Sequence, residues 1–235
     1  MLLICICIFG ETNFENYNHM NQLQVKNNKS AQRNLTILNS VYNFALNGVK
    51  GISEPLEEFV DHYVSKYGRT DKAIDKMVRA QKLKVTTTGF VTGLGGMITL
   101  PITIPADLTS SLYIEMRMVA AIAYLRGYDI HSDEVKTLVY ATMAGNAMGD
   151  IVKQAGIKVA TEVTAKKLLP KLSRNFIIKI NKAVGFKLLA KGGTKGIINL
   201  GKAIPIVGGI IGGTYNYCEV ALYAKWAKRM FNENA

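Results

Sequence analysis

A run of 22 residues without a charged side chain, residues 85–106, constrains the fold of this chain more than any other feature. The run is long enough to cross a bilayer as a helix. It is not typical of a membrane span, because it holds six threonines and because Pro101 and Pro105 interrupt helical hydrogen bonding. Its composition favours a buried helical hairpin or a broken helix, and leaves open a tightly packed core helix of a soluble protein.

A second uncharged stretch, residues 203–218, is also rich in glycine, but its 16 residues are short for a membrane span. Glycines spaced four apart let two helix backbones approach closely. We therefore expect two glycine-rich apolar helical hairpins that pack together or insert into a membrane interface. The glycines predicted to mediate this packing or insertion are Gly89, Gly93, Gly96, Gly208, Gly209, Gly212 and Gly213.

The remaining chain shows helical periodicity and no useful strand alternation, so the sequence predicts an all-α, compact multi-helix bundle. Residues 1–34 are predicted to be a flexible or disordered leader, and residues 35–235 a single helical domain. Ser53 and Ser132 have the residue type and position of helix N-caps. Pro170 is expected in the first turn of another helix.

The charge is concentrated in one region. The chain carries a formal net charge of +12, and residues 163–218 hold ten basic and no acidic side chains. A field of one sign attracts phosphate, whether of anionic lipid or of nucleic acid. The alternative is a solvated surface that is basic for solubility. The candidate residues for binding lipid or another anion are Lys167, Lys171, Arg174, Lys179, Lys182, Lys187, Lys191 and Lys195.

On a helical wheel, residues 167–184 form a basic amphipathic helix, a pattern used at membrane surfaces and also by ordinary bundle helices. Leu172, Phe176, Ile180 and Val184 gather on its apolar side. Reversing the charges of the opposite side is expected to abolish binding to anionic vesicles; the residues concerned are Lys171, Arg174, Lys179 and Lys182.

Three polar residues lie in apolar surroundings, where an unpaired charge is costly: Asp107, Glu115 and Arg117. Helix capping by Asp107 and a helix–helix ion pair of Glu115 or Arg117 are the structural interpretations; a buried enzyme site is the alternative. The three histidines do not lie at metal-ligand spacing from Cys, Asp or Glu, and no catalytic motif is present. We therefore expect no metal, no cofactor and no catalytic residue.

Three long blocks together cover most of residues 73–216 and resemble the bacterial EcsC family. They read AIDKMVRAQKLKVTTTGFVTGLGGMITLPITIPADL, RMVAAIAYLRGYDIHSDEVKTLVYATMAGNAMGDIVKQAGIK and INKAVGFKLLAKGGTKGIINLGKAIPIVGGIIGGTYN. The family is named for a protein encoded beside the ATPase and membrane subunits of an ABC transporter. The resemblance therefore implies an association with a membrane transporter and supplies no catalytic residues.

The sequence as a whole predicts a non-enzymatic, membrane-associated helical protein that binds anionic lipid surfaces through its Lys-rich region. It would be cytoplasmic, peripheral or partly inserted at the inner face of the cell membrane. A soluble adaptor that docks on a membrane complex such as an ABC transporter is one alternative, and an enzyme or binder for a lipid-like ligand is another. Nucleic acid is a disfavoured partner, since no recognisable nucleic-acid-binding motif is present. The sequence leaves open whether the protein forms a homo-oligomer.

Overall fold

The computed structural model of the chain describes residues 29–86, 106–158, 163–190 and 211–232. Helices account for the secondary structure in these ranges, apart from an isolated bridge between Val49 and Ser53, and the predicted all-α bundle is confirmed. The helices are α1 29–47, α2 Leu56–Tyr67, α3 Asp71–Thr86, α4 Ala106–Leu125, α5 Asp133–Met143, α6 Met148–Gln154, α7 Ala165–Leu168, α8 Arg174–Gly185 and α9 Ile211–Met230. Two 3-10 turns, Gly145–Ala147 and Leu169–Lys171, connect helices, and a π turn, Phe186–Ala190, extends α8.

Helix α4 lies at the centre of the bundle. Residues 112–123 are all buried, and α2, α3, α5 and α9 pack around the helix. A helix that is apolar on every side is stable in water only when other elements cover all of it. The two charged side chains in this buried run, Glu115 and Arg117, are therefore inside the bundle.

Helix α1 is tied to the bundle by polar contacts as well as by apolar packing. The Tyr42 hydroxyl donates to the backbone carbonyl of Ile130 at 2.6 Å, and the Tyr140 hydroxyl donates to Oδ1 of Asn39 at 2.9 Å. The rings of Tyr42 and Tyr140 meet edge to face, with centroids 5.7 Å apart. Near the other end of α1, Nδ2 of Asn34 donates to the carbonyl of Gly185 at 3.3 Å.

The start of α1 differs from the sequence pattern. The pattern becomes helical at Leu35, whereas the helix already includes residue 29. Residues 29–33 are polar or small and largely exposed, so they show no apolar periodicity from which a helix can be inferred. Residues 1–28 of the predicted leader lie outside the described ranges.

Ser53 is not the N-cap of α2. Helix α2 follows Pro55 and receives no hydrogen bond from a capping side chain. The Ser53 hydroxyl instead accepts a hydrogen bond from the Val49 amide at 3.0 Å and bonds the Tyr113 hydroxyl at 2.6 Å. It thus closes the loop between α1 and α2, which explains why it is unavailable as a cap. Ser132 does cap α5, since its hydroxyl accepts from the Val135 amide at 3.3 Å.

Pro170 lies in the first turn of a further helix, as predicted, but that helix is the short 3-10 turn Leu169–Lys171. The next α-helix, α8, begins only at Arg174. Leu172 and Ser173 between them have extended backbones. This break separates the lysines of α7 from those of α8.

Candidate functional site

Exposed cations cover the segment from α7 through α8, which we call the basic segment, residues 165–187. None of the side chains in this segment is acidic. Lys187 is half-buried, and the exposed members are Lys166, Lys167, Lys171, Arg174, Lys179 and Lys182. Lys191 and Lys195 lie outside the described ranges.

The inner side of α8 anchors the basic segment to the core. Ile180 and Val184 are fully buried, and the helix packs against α5 and α6. Burial of two branched aliphatic side chains contributes about 3 to 6 kcal/mol relative to their exposure. This side agrees with the apolar side of the helical wheel, so the opposite side faces solvent.

The outer side of α8 combines cations with large apolar side chains. The outer side of α8 is defined by five residues: Arg174, Ile178, Lys179, Lys182 and Phe186. Ile178 is 43% exposed and Phe186 is 55% exposed, and both are among the exposed large hydrophobic residues of the described chain. Arg174, Ile178, Lys182 and Phe186 follow one another at four-residue spacing, which places them in one stripe along the helix surface.

Sequence reasoning missed Ile178 and Phe186 as candidates for binding. The signal was available, because both residues fall among the lysines on the helical wheel, where a solvated helix normally carries polar side chains. A single exposed apolar residue is common on protein surfaces. Two in one stripe with cations between them are typical of helices that lie in a membrane interface.

Two lysines of the basic segment also bond backbone carbonyls of the chain that follows α6. Nζ of Lys171 donates to the Lys158 carbonyl at 3.2 Å, and Nζ of Lys179 donates to the Ala155 carbonyl at 3.5 Å. Lys179 also lies 6.0 Å from the centroid of the Phe176 ring. Four other cations make no side-chain hydrogen bond or ion pair within the described ranges; they are Lys166, Lys167, Arg174 and Lys182.

A groove of about 560 Å³ borders the outer side of α8. Arg174, Ile178 and Asn181 line it from α8, and Asp133 and Glu134 line it from the first turn of α5. These carboxylates define the limit of the positive surface, because an anionic lipid headgroup is repelled by them. One of them, Asp133, is already paired with Lys136 at 2.6 Å.

Arg117 is a structural residue that binds backbone carbonyls. Its side chain is buried; Nη1 donates to the carbonyl of Ala45 and Nη2 to the carbonyl of Glu54, both at 2.7 Å. The guanidinium carbon lies 5.3 Å from the centroid of the Phe59 ring. Burial lowers the pKa of Arg117 below its ordinary value, but Tyr113 and Glu54 counteract this effect.

The other two buried polar candidates also belong to α4. Glu115 is 1% exposed, so its carboxyl group is inside the bundle. Asp107 lies in the first turn of α4, and its side chain is outside the described part of the structure. The structure therefore shows a structural role for Arg117. The alternative that the three residues form a buried enzyme site stays a prediction.

The glycine-rich hairpins fall mainly outside the described residues. Gly212 and Gly213 lie in the first turn of α9. The other five candidates, Gly89, Gly93, Gly96, Gly208 and Gly209, are outside the described ranges, so the packing of the hairpins stays a prediction. No helix in the described ranges combines the length and apolar character that crossing a membrane requires. Nor do the described residues bring three or more His, Cys, Asp or Glu side chains together in a group suited to a metal ion.

Comparison with models of protein families identifies the family of this chain. The model of the EcsC protein family matches residues 28–233, which is nearly the whole chain. No curated protein and no solved structure matches significantly. The matched region begins one residue before α1 and includes every helix described above. The chain therefore belongs to the EcsC protein family.

Proposed function

We propose that this protein binds anionic membrane surfaces through the basic segment, with the outer side of α8 in contact with the lipid. The observation that carries the proposal is the combination, on that side, of exposed cations with Ile178 and Phe186. Cations alone fit many acidic partners, whereas exposed apolar side chains between them fit an interface that is charged at its surface and apolar below it.

The charge supplies the first part of the binding energy. A lysine or arginine near an anionic membrane contributes about 1 kcal/mol of attraction, and this attraction is screened by salt. The basic segment contributes six exposed cations and no opposing carboxylate. This number is sufficient for reversible binding without any covalent lipid anchor.

The apolar side chains supply the second part. Ile178 and Phe186 are about half exposed in the free protein, so each can transfer apolar area from water into the acyl boundary. A phenylalanine contributes about 1.5 to 3 kcal/mol when it is fully buried. Because this contribution does not depend on salt, binding at high ionic strength reports on it.

The proposal is tested by reversing four cations to glutamate: Lys166, Lys167, Arg174 and Lys182. These are preferred to Lys171 and Lys179, which also donate to the backbone carbonyls of Lys158 and Ala155. We expect the variant to lose at least tenfold in its partition onto vesicles that contain anionic phospholipid. The measurement is co-flotation with vesicles at low salt, after circular dichroism has verified folding.

A matched control reverses an equal number of exposed cations elsewhere, also three lysines and one arginine: Lys50, Lys66, Lys76 and Arg79. Both variants undergo the same change in net charge. The control is expected to bind within about threefold of the wild type. Equal losses in the two variants would show that binding depends on net charge and not on the basic segment.

We further propose that this binding places the protein at the inner face of the cell membrane, where it could act beside a membrane transporter, as the family resemblance implies. The adaptor alternative requires a protein surface in place of lipid. It predicts that the wild-type protein fails to float with any vesicle and is recovered with a membrane-protein complex.

A further inference from the structure

A groove between α2 and α3 has features of a ligand site. We call it the α2–α3 groove. It measures about 430 Å³, within the usual range of small-molecule sites, and its walls combine acidic, aromatic and amide side chains. The lining residues used in the argument are Glu54, Glu58, Phe59, His62, Tyr63 and Gln81.

Gln81 is the first indication that the α2–α3 groove accepts a ligand. The residue is 3% exposed and lines the groove, yet its carboxamide makes no hydrogen bond within the described part of the chain. The carboxamide is not one of the fully buried side-chain groups without a partner, so it reaches the groove that the residue lines. An amide held in place by a buried side chain and open to a groove is suited to bonding a group that enters from solvent.

Two carboxylates give the groove its charge. Glu54 and Glu58 are exposed and form no ion pair within the described ranges. The Glu54 carboxylate also interacts electrostatically with Tyr63. The pKa of Tyr63 is raised mainly by burial and further by this carboxylate. Arg117 is a nearby cation that donates to the backbone carbonyl of Glu54, and its charge also attracts the Glu54 carboxylate, so Glu58 is the less compensated of the two carboxylates.

The aromatic side chains form the apolar wall. The rings of Phe59 and Tyr63 meet edge to face with centroids 5.5 Å apart, and the ring of His62 meets Tyr63 at the same distance. One face of the Phe59 ring already lies against the Arg117 guanidinium, so Tyr63 and His62 supply the aromatic surface for an alkyl chain or a cation. The groove therefore offers carboxylates, an amide oxygen and aromatic surface to one ligand.

We propose that the α2–α3 groove binds a primary ammonium group carried on a short alkyl chain. A primary ammonium has three N–H donors, which match the carboxylate and amide oxygens, whereas a quaternary ammonium has none. Two sources share this chemistry: a free polyamine and an ethanolamine lipid headgroup. The proposal does not depend on lipid binding by α8, since different helices carry the two surfaces.

The test is calorimetric titration of the full chain, at physiological salt, with two probes that represent the two sources. The probes are spermidine and glycerophosphoethanolamine, and choline is the quaternary control. We expect saturable binding of at least one primary-amine probe, and binding of choline at least tenfold weaker. The net charge of +12 disfavours general attraction of cations, so saturable binding would indicate a specific site. Absence of binding by both probes, or equally tight binding of choline, would overturn the proposal.

Matched variants then locate the site. Glu58→Gln and Gln81→Leu are each expected to lower the affinity for the probe about tenfold, because each removes a direct hydrogen-bond acceptor. Glu57→Gln is the control, since Glu57 is on the same turn of α2 but pairs with Nε2 of His131 at 3.0 Å. The control is expected to bind within about twofold of the wild type. A loss for Glu57→Gln equal to that for Glu58→Gln would contradict this location.

Discussion

At the scale of single residues, Arg117 joins three parts of the fold. Its guanidinium binds the last turn of α1 through Ala45, the α1–α2 loop through Glu54 and the aromatic face of Phe59 in α2. Arginine suits this position because its planar fork presents several N–H donors in fixed directions. For Arg117, the structure shows contacts with main-chain oxygens where a helix–helix ion pair was one expectation; an ion pair of Glu115 stays a prediction.

We predict that Arg117→Leu lowers the free energy of unfolding by about 2 to 4 kcal/mol. The variant leaves two carbonyls without their donor, at about 1 to 2 kcal/mol each. Urea unfolding followed by circular dichroism measures the change. Arg117→Lys is expected to recover less than half of the loss, because an ammonium cannot reach both carbonyls in the same geometry. An unchanged urea midpoint for Arg117→Leu would refute the structural role.

Gly48 and Gly51 provide a matched pair in the α1–α2 loop. Both have positive φ, +75° and +78°, which costs a residue with a side chain about 1 to 2 kcal/mol. A Cβ at Gly48 would lie under 3 Å from the backbone oxygens of Ser53 and Glu54, whereas one at Gly51 would meet nothing within 4 Å. We predict that Gly48→Ala destabilises the protein by at least 2 kcal/mol more than Gly51→Ala. Thermal unfolding of the two variants tests this difference, and similar midpoints would contradict the closed loop.

Tyr42 and Tyr140 make the free energy of unfolding depend on pH in the alkaline range. Burial raises the pKa of both hydroxyls above their ordinary value of 10.0, with further increases from Asp129 for Tyr42 and from Tyr42 for Tyr140. Above pH 10 the unfolded chain loses these protons while the folded protein retains them, so stability falls as pH rises, by about 1.4 kcal/mol per pH unit for each group.

We therefore predict that the free energy of unfolding falls less between pH 9 and pH 11 when both tyrosines are replaced by phenylalanine. The double variant loses hydrogen bonds to Ile130 and Asn39, so it is less stable at pH 8 but has the shallower pH dependence. Urea titrations at the three pH values measure both effects. Identical slopes for variant and wild type would show that other groups control alkaline unfolding.

At the scale of elements, α8 carries both the cations and the apolar side chains that we expect to bind lipid, and their contributions can be measured separately. We predict that replacing Ile178 and Phe186 by serine lowers the partition coefficient onto anionic vesicles by about the same factor, tenfold or more, at low and at high salt, because the apolar contribution does not depend on salt. The loss is easiest to detect at high salt, where the charges are screened and the wild type no longer floats completely. The control replaces Leu83, which is 71% exposed on α3, by serine and should change the partition coefficient at neither salt concentration. Equal flotation of variant and wild type at high salt would exclude insertion of these side chains.

The sequence predicted the elements better than their contacts. Local signals were sufficient for the helical class, for the cap at Ser132 and for the buried side of α8, because each depends on residues within a few turns. The role of Ser53 was not predictable in this way, since its hydroxyl bonds Tyr113 sixty positions away. The same is true of Arg117, whose carbonyl partners precede it by 63 and 72 positions. Neither distance leaves a periodic pattern.

At the scale of the whole molecule, the two proposed sites are carried by different parts of one bundle. Helix α8 packs on α5 and α6, whereas α2 and α3 pack on each other and on α4. All charged side chains of the basic segment are cations, whereas the α2–α3 groove contains two carboxylates. This difference in charge predicts that anionic lipid binds the former surface and not the latter.

The central claim, that the basic segment binds anionic lipid, is tested most directly by flotation of the wild-type protein with anionic and with neutral vesicles at low and high salt. We predict strong flotation with anionic vesicles at low salt, and only a weak fraction, due to apolar insertion, with anionic vesicles at high salt and with neutral vesicles. The salt-sensitive part measures the cations, and the remainder measures apolar insertion. No flotation with anionic vesicles at low salt would contradict the claim.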